Sequence, residues 1–129
     1  MNGDRLLLDT HTLIWWAEDN PRLPPATDAR IRHADLALVS IASAWEIAIK
    51  ASLGRLALPM AVEHILDESG FVLLPVTLAH TAEVAKLPHH HRDPFDRMLV
   101  AQARTERLAL VSHDRVFRRY DVQVMWRRS

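Results

Sequence analysis

The chain has 129 residues, 49% of them apolar, and its 16 Lys and Arg balance 16 Asp and Glu. That length suits one domain with a real buried core, and zero net charge argues against a strongly basic nucleic-acid-binding domain. The lack of cysteine excludes disulfides, thiolate zinc sites and thiol nucleophiles.

Arg5 to Leu8 reads as a first strand, stopped at once by Asp9 with no secretory pattern around it. No apolar run approaches the roughly 20 residues of a membrane span, so the cytoplasm is the expected location. Helices are expected at about Thr12 to Glu18 and from Pro25 to His33, separated by the turn-rich Asn20-Pro21-Arg22-Leu23-Pro24-Pro25. A short strand follows at Leu36 to Val39. Ser40 to Leu53 is a helix, with Ile41, Trp45, Ala48 and Ile49 at helical spacing and Gly54 just past its end. Pro59 to Ser69 is a helix stopped by Gly70, Phe71 to Leu74 a strand closed by Pro75, and Leu78 to Lys86 a helix. Asp93 to Arg107 is a longer helix and Leu108 to Val111 a strand. Arg115 to Arg119 is a short helix and Val122 to Val124 a last strand. Strands alternating with helices give an α/β class with a mainly parallel central sheet and one domain over residues 1–129.

Four acids stand where apolar runs end or helices begin: Asp9, Glu46, Asp96 and Asp114. Parallel strands share a carboxyl edge, where open α/β folds build their sites. Carboxylates gathered there repel one another unless a cation intervenes, and an oxygen-rich cluster suits Mg²⁺ or Mn²⁺. Each acid also has a structural reading. Asp9 serves as a helix N-cap. Glu46 pairs with Lys50 at i+4, although its apolar neighbours imply partial burial, and a buried carboxylate needs a partner. Asp93 as N-cap and Pro94 at N1 make a good helix start, which accounts for Asp93 and leaves Asp96 as the ligand. Ser112 serves as a cap or as a hydroxyl beside a ligand, and Asp114 favours a helix N-terminus by its charge.

The consecutive His89, His90 and His91 are poorly arranged to converge on one ion. With only three glycines there is no phosphate-cradling loop. From Arg104 onward seven arginines face three acids. That skew reads equally as a solvated face or as a phosphate-binding one.

Leu7 to Trp16, Ser40 to Lys50, Asp93 to Ala103 and Leu110 to Asp114, in that order and spacing, resemble the PIN-domain ribonucleases, in particular VapC-type toxins of toxin–antitoxin pairs. The resemblance implies Mg²⁺- or Mn²⁺-dependent endoribonuclease activity, with Asp9, Glu46, Asp96 and Asp114 as the acidic site. It implies supporting roles for Thr10, Ser112 and Asp93, and it suggests Arg97, Arg115, Arg118 and Arg119 as phosphate contacts. It further implies a small antitoxin partner and a homodimer. Trp15 and Trp16 are adjacent and do not share a helix face; either one is exposed to a partner or both are buried against the sheet.

Two other readings compete. The same fold would serve as a non-catalytic RNA- or antitoxin-binding module if a site acid were missing, and none is. A phosphatase of the haloacid-dehalogenase type would use Asp9 as nucleophile, but its second aspartate is absent: position 11 is His11.

Overall fold

The computed structural model describes residues 3–128. Strands β1 (Arg5–Leu8), β2 (Leu36–Ser40), β3 (Val72–Leu74), β4 (Ala109–Val111) and β5 (Val124–Met125) form one sheet in the order β3-β2-β1-β4-β5. Every pairing is parallel, so the expectation of a mainly parallel sheet is met in full. Helices α1 (Thr10–Ala17), α2 (Pro25–Arg32), α3 (Ile41–Ser52), α4 (Val62–Ser69), α5 (Leu78–Lys86) and α6 (Pro94–Glu106) connect the strands, with a 3₁₀ turn at Arg115–Arg119.

The strand period of two sorts side chains into two cores. Leu6, Leu8, Ala37, Val39 and Val111 face the side covered by Leu13 and Ile14 of α1, Ile31 of α2, Ile47 of α3 and Ile65 of α4. Leu7, Leu38 and Leu110 face the other side, under Leu99, Val100 and Ala103 of α6 and Phe117 of the 3₁₀ turn. Helices thus cover both faces, which is why the short strands are apolar throughout rather than alternating.

Local punctuation sets the boundaries. Gly70 ends α4 in the left-handed region at φ 70°, where a Cβ is penalised and glycine is not. Thr77 begins α5 with a reciprocal cap: its side chain accepts from His80 N–H, and its own N–H donates to His80 Nδ1 at 3.0 Å. Several boundaries depart from expectation. The first helix begins at Thr10, because Asp9 caps it directly. The fourth begins at Val62 rather than Pro59, and the last strand lies at Val124–Met125 rather than Val122–Val124, where it pairs with Leu110 and Val111.

Strands β1, β2 and β3 run outward to one side, and the chain then crosses back to place β4 on the far side of β1. The sheet order therefore reverses between β1 and β4. The carboxyl ends flanking such a reversal leave a crevice between diverging connections. Asp9 leaves β1 there, and Ser112 to Asp114 leave β4.

Candidate functional site

Asp9 is 3% exposed at the end of β1. Its Oδ1 accepts the Thr12 N–H at 2.8 Å, so the capping role is real, and Thr12 in turn donates its hydroxyl to Val111 O at 3.0 Å. That bond ties the start of α1 to the neighbouring strand β4. Burial pushes the Asp9 carboxyl above its ordinary range, partly offset by hydrogen bonds from Ser112 and Thr12 and by the nearby charge of His11.

Helix α3 follows β2 without a loop, since Ser40 ends the strand and caps the helix by accepting the Ala42 N–H at 2.9 Å. Glu46 on this helix is 4% exposed. Its Oε1 accepts the Thr10 hydroxyl at 2.7 Å, with Ser43 Oγ 3.0 Å from that same hydroxyl. Its Oε2 meets Lys50 Nζ at 2.7 Å. Both readings of Glu46 hold together: it is paired at i+4, and it is buried with one oxygen turned toward Thr10, next to Asp9.

Asp93 Oδ1 accepts the N–H groups of Phe95 and Asp96 at 2.8 and 3.2 Å, as a cap of α6 should. Asp96 is left without that duty. Burial first, then the charges of Asp93, Asp9, Glu46 and Asp114, push its carboxyl up to about 8. All the other candidate acids thus act on the Asp96 carboxyl through their charge. Asp114 caps the 3₁₀ turn, its Oδ1 accepting the Val116 N–H at 3.0 Å. Ser112 Oγ accepts the Asp114 N–H at 3.0 Å, and Ser112 also pulls the Asp9 carboxyl back down, so one buried serine bears on two of the acids.

The donor set is oxygen-rich, and the basic groups against it are Lys50 on Glu46 and the His91 imidazole near Asp96 and Asp114. A carboxyl held to about 8 among four like charges marks a place where a hard dication would relieve both burial and repulsion. The residues therefore fit Mg²⁺ or Mn²⁺ in kind. Among the described residues no three Asp, Glu or His side chains already close to coordination geometry.

The PIN domain family matches this chain over residues 6–123. The chain belongs to the PIN-domain family. Ribonuclease VapC22 of Mycobacterium tuberculosis (strain ATCC 25618 / H37Rv) is 32% identical over 117 residues, spanning 88% of this chain and 89% of that relative. In solved structures the PIN fold here is similar to a chain of VapBC2 from Rickettsia felis bound to a promoter DNA fragment, at TM-score 0.66 and 14% identity, covering 95% of this chain and 98% of that one. It is also similar to a chain of DNA-bound VapBC from Salmonella typhimurium, at TM-score 0.67 and 17% identity, covering 95% and 97%.

One expected phosphate contact of this PIN domain is corrected. Arg97 is 9% exposed, and its guanidinium donates to the carbonyls of Pro88, Val84 and Leu87 at 2.9, 3.2 and 3.4 Å. It ties the loop after α5 to α6 and has no fork left for RNA. Replacing it leaves those carbonyls short of a donor. Arg97→Leu is expected to cost roughly 2–4 kcal/mol in urea unfolding; a loss below the scatter of surface substitutions would contradict this role. Arg115, Arg118 and Arg119 are exposed on the 3₁₀ turn that Asp114 caps.

The sequence reading set His91 aside with His89 and His90 as a poor metal site and gave it no place beside the acids. Its Nε2 lies 3.0 Å from Asp96 Oδ2 and 3.4 Å from Asp114 Oδ2, while Nδ1 accepts the Asp93 N–H at 3.3 Å. The Nε2 group is close to both oxygens but aimed well at neither, and it forms no hydrogen bond. No periodic signal marks a loop histidine for this place; only the fold brings the end of that loop against β4. Lys50, by contrast, was legible as the i+4 neighbour of Glu46.

Proposed function

We propose that this PIN domain is a metal-dependent endoribonuclease and the toxin of a toxin–antitoxin pair. Supporting the reading are Asp9 at the end of β1, Asp114 just beyond β4, and Asp96, whose carboxyl is pushed up to about 8 by burial first and then by the charges of Asp93, Asp9, Glu46 and Asp114. A relative 32% identical is named a ribonuclease, which supports RNA as the substrate.

In this reading the four acids hold one or two Mg²⁺ or Mn²⁺ ions. When bound, such an ion supplies charge neutralisation of the phosphodiester and activation of water. The rest is the work of the chain. Ser112 and Thr12 fix the Asp9 carboxylate, and Thr10 and Lys50 fix the two oxygens of Glu46. Asp93 relieves Asp96 of helix capping. Burial and the surrounding carboxylates raise the Asp96 carboxyl to about 8. Arg115, Arg118 and Arg119 are the proposed phosphate contacts, as exposed cations on the turn that Asp114 caps.

A small antitoxin and a second copy of the chain are the proposed protein partners. The similar Rickettsia felis and Salmonella typhimurium chains come from VapBC assemblies. A solvent-facing apolar stripe of Ile41, Trp45, Ile49 and Leu53 runs along α3 at fourfold spacing. Among the described residues no helix is long and apolar enough to cross a membrane.

The test is cleavage of single-stranded RNA by the purified chain with Mn²⁺, with Mg²⁺ and with EDTA. Cutting in either metal that EDTA stops is the expected result. Cutting that survives EDTA would sink the metal-dependent reading, and no cutting in any condition would favour the non-catalytic module.

A further inference from the structure

Beside the acids, at the same sheet edge, lies an aromatic cleft that the proposed chemistry does not use. Its volume is about 540 Å³, and Trp15, Arg22, Pro24, His113, Trp126 and Arg128 line it. A second hollow of about 310 Å³ shares His113, Trp126 and Arg128 and adds Arg115 and Arg118. The two form one continuous groove with aromatic walls and an arginine rim.

The fold ties this groove to the site. His113 stands between Ser112 and Asp114 at the end of β4, and Trp126 directly follows β5. The Ser112 N–H donates to Met125 O at 3.3 Å, locking those two strand ends together. Trp15 lies on α1, which Asp9 caps. The rings converge: Trp15 to His113 is 4.9 Å, His113 to Trp126 is 5.8 Å and Trp15 to Trp126 is 6.1 Å between centroids, all tilted. The Arg22 guanidinium lies 6.0 Å from the Trp15 ring.

A purely structural cluster would bury these rings in the sheet core. Here Trp15 and Trp126 are only half-buried, His113 is exposed, and Arg22 and Arg128 are exposed at the rim. Flat π faces suit stacking on a nucleobase, and guanidinium groups suit the phosphates on either side of it. Among the described residues no carboxylate side chain lines either hollow. A base paired in a duplex cannot enter such a pocket, so the ligand is single-stranded.

We propose that the Trp15–His113–Trp126 cleft takes one unpaired nucleobase of RNA, next to the phosphate presented to the acids. This rests on the reading of the chain as a ribonuclease. It makes Trp15, His113 and Trp126 substrate-binding residues, and it makes Arg22 and Arg128 contacts to the flanking backbone.

The test uses the full chain with Asp96→Asn, so that the RNA stays intact during titration. A short single-stranded RNA is bound as such and with one base removed at a time. Removal of one particular base is expected to weaken binding about 5- to 150-fold, the range for one base stacked on an aromatic side chain. That penalty should disappear when Trp126→Leu and His113→Ala are added. Should the doubly substituted cleft unfold, His113→Ala alone, which changes an exposed side chain, carries the comparison, and the scan of the intact cleft needs no substitution. Equal binding by all the base-deleted RNAs overturns the proposal, as does a penalty that persists in full in the cleft variants. Cleavage by the unsubstituted chain is assayed in parallel. Cleavage without base-dependent binding overturns the cleft alone; base-dependent binding without cleavage keeps the cleft and overturns the ribonuclease reading.

Discussion

Asp96→Asn is expected to lose RNA cleavage by more than about a hundredfold and, with no metal present, to make the chain more stable. Losses of 10- to 100-fold are usual for groups that merely support metal ligands, so removal of a proposed ligand should exceed them. The stability gain has a separate cause. The aspartate is forced toward its neutral form by burial and by four surrounding carboxylates, and asparagine is neutral without that penalty. A residue kept for its fold would show the reverse, with substitution costing stability.

The sign of the pH dependence follows from the same shift. Unfolded, Asp96 loses its proton near the ordinary 3.8; folded, it holds the proton to about 8. Between those limits the folded chain binds more protons than the unfolded one, so stability falls as pH rises. The contribution is fully present below the lower limit and is lost by the upper one. The slope is at most about 1.4 kcal/mol per pH unit, and it is spread out because the clustered acids share protons. Urea unfolding in EDTA at mildly acidic, neutral and mildly alkaline pH should show the variant's advantage widening with pH. A constant gap would mean that Asp96 is ordinary in the folded chain.

The local placement of the candidate acids was largely legible in sequence because they obey local rules. Asp9 ends an apolar run, Asp96 follows a cap and a proline, and Asp114 opens a turn; each signal spans only a few residues. Glu46 was legible by contrast, as an acid among apolar neighbours. What stayed hidden depends on long-range placement. Arg97 follows Asp96 directly and sits on a helix buried at Leu99 through Ala103, yet nothing in its neighbours says that carbonyls from the end of α5 and the loop beyond it will converge on its fork. His91 is invisible for the same reason, since its contacts join a loop to Asp114 more than twenty residues on. The aromatic cleft is a third case: Trp15, His113 and Trp126 come from helix α1 and two strand ends, and only the order β1-β4-β5 makes them neighbours.

Mn²⁺ or Mg²⁺ should stabilise the wild-type chain, and more strongly at mildly alkaline than at mildly acidic pH. A ligand that binds only the folded state adds about 2.7 kcal/mol at a hundredfold excess over its Kd. Binding must first displace the proton from Asp96, so a proton is released and apparent affinity rises with pH up to about 8. Thermal unfolding with each metal, repeated after EDTA, reads this directly. Asp9→Asn and Asp96→Asn should each abolish most of the shift, whereas Arg119→Ala, on the exposed turn, should retain it. The comparison separates a metal held by the acids from ions gathered loosely by surface charge, because the latter would stabilise every variant alike and would fade as salt is added. A stabilisation that is independent of pH would also count against the site, since it would mean that the ion binds without competing for the proton on Asp96.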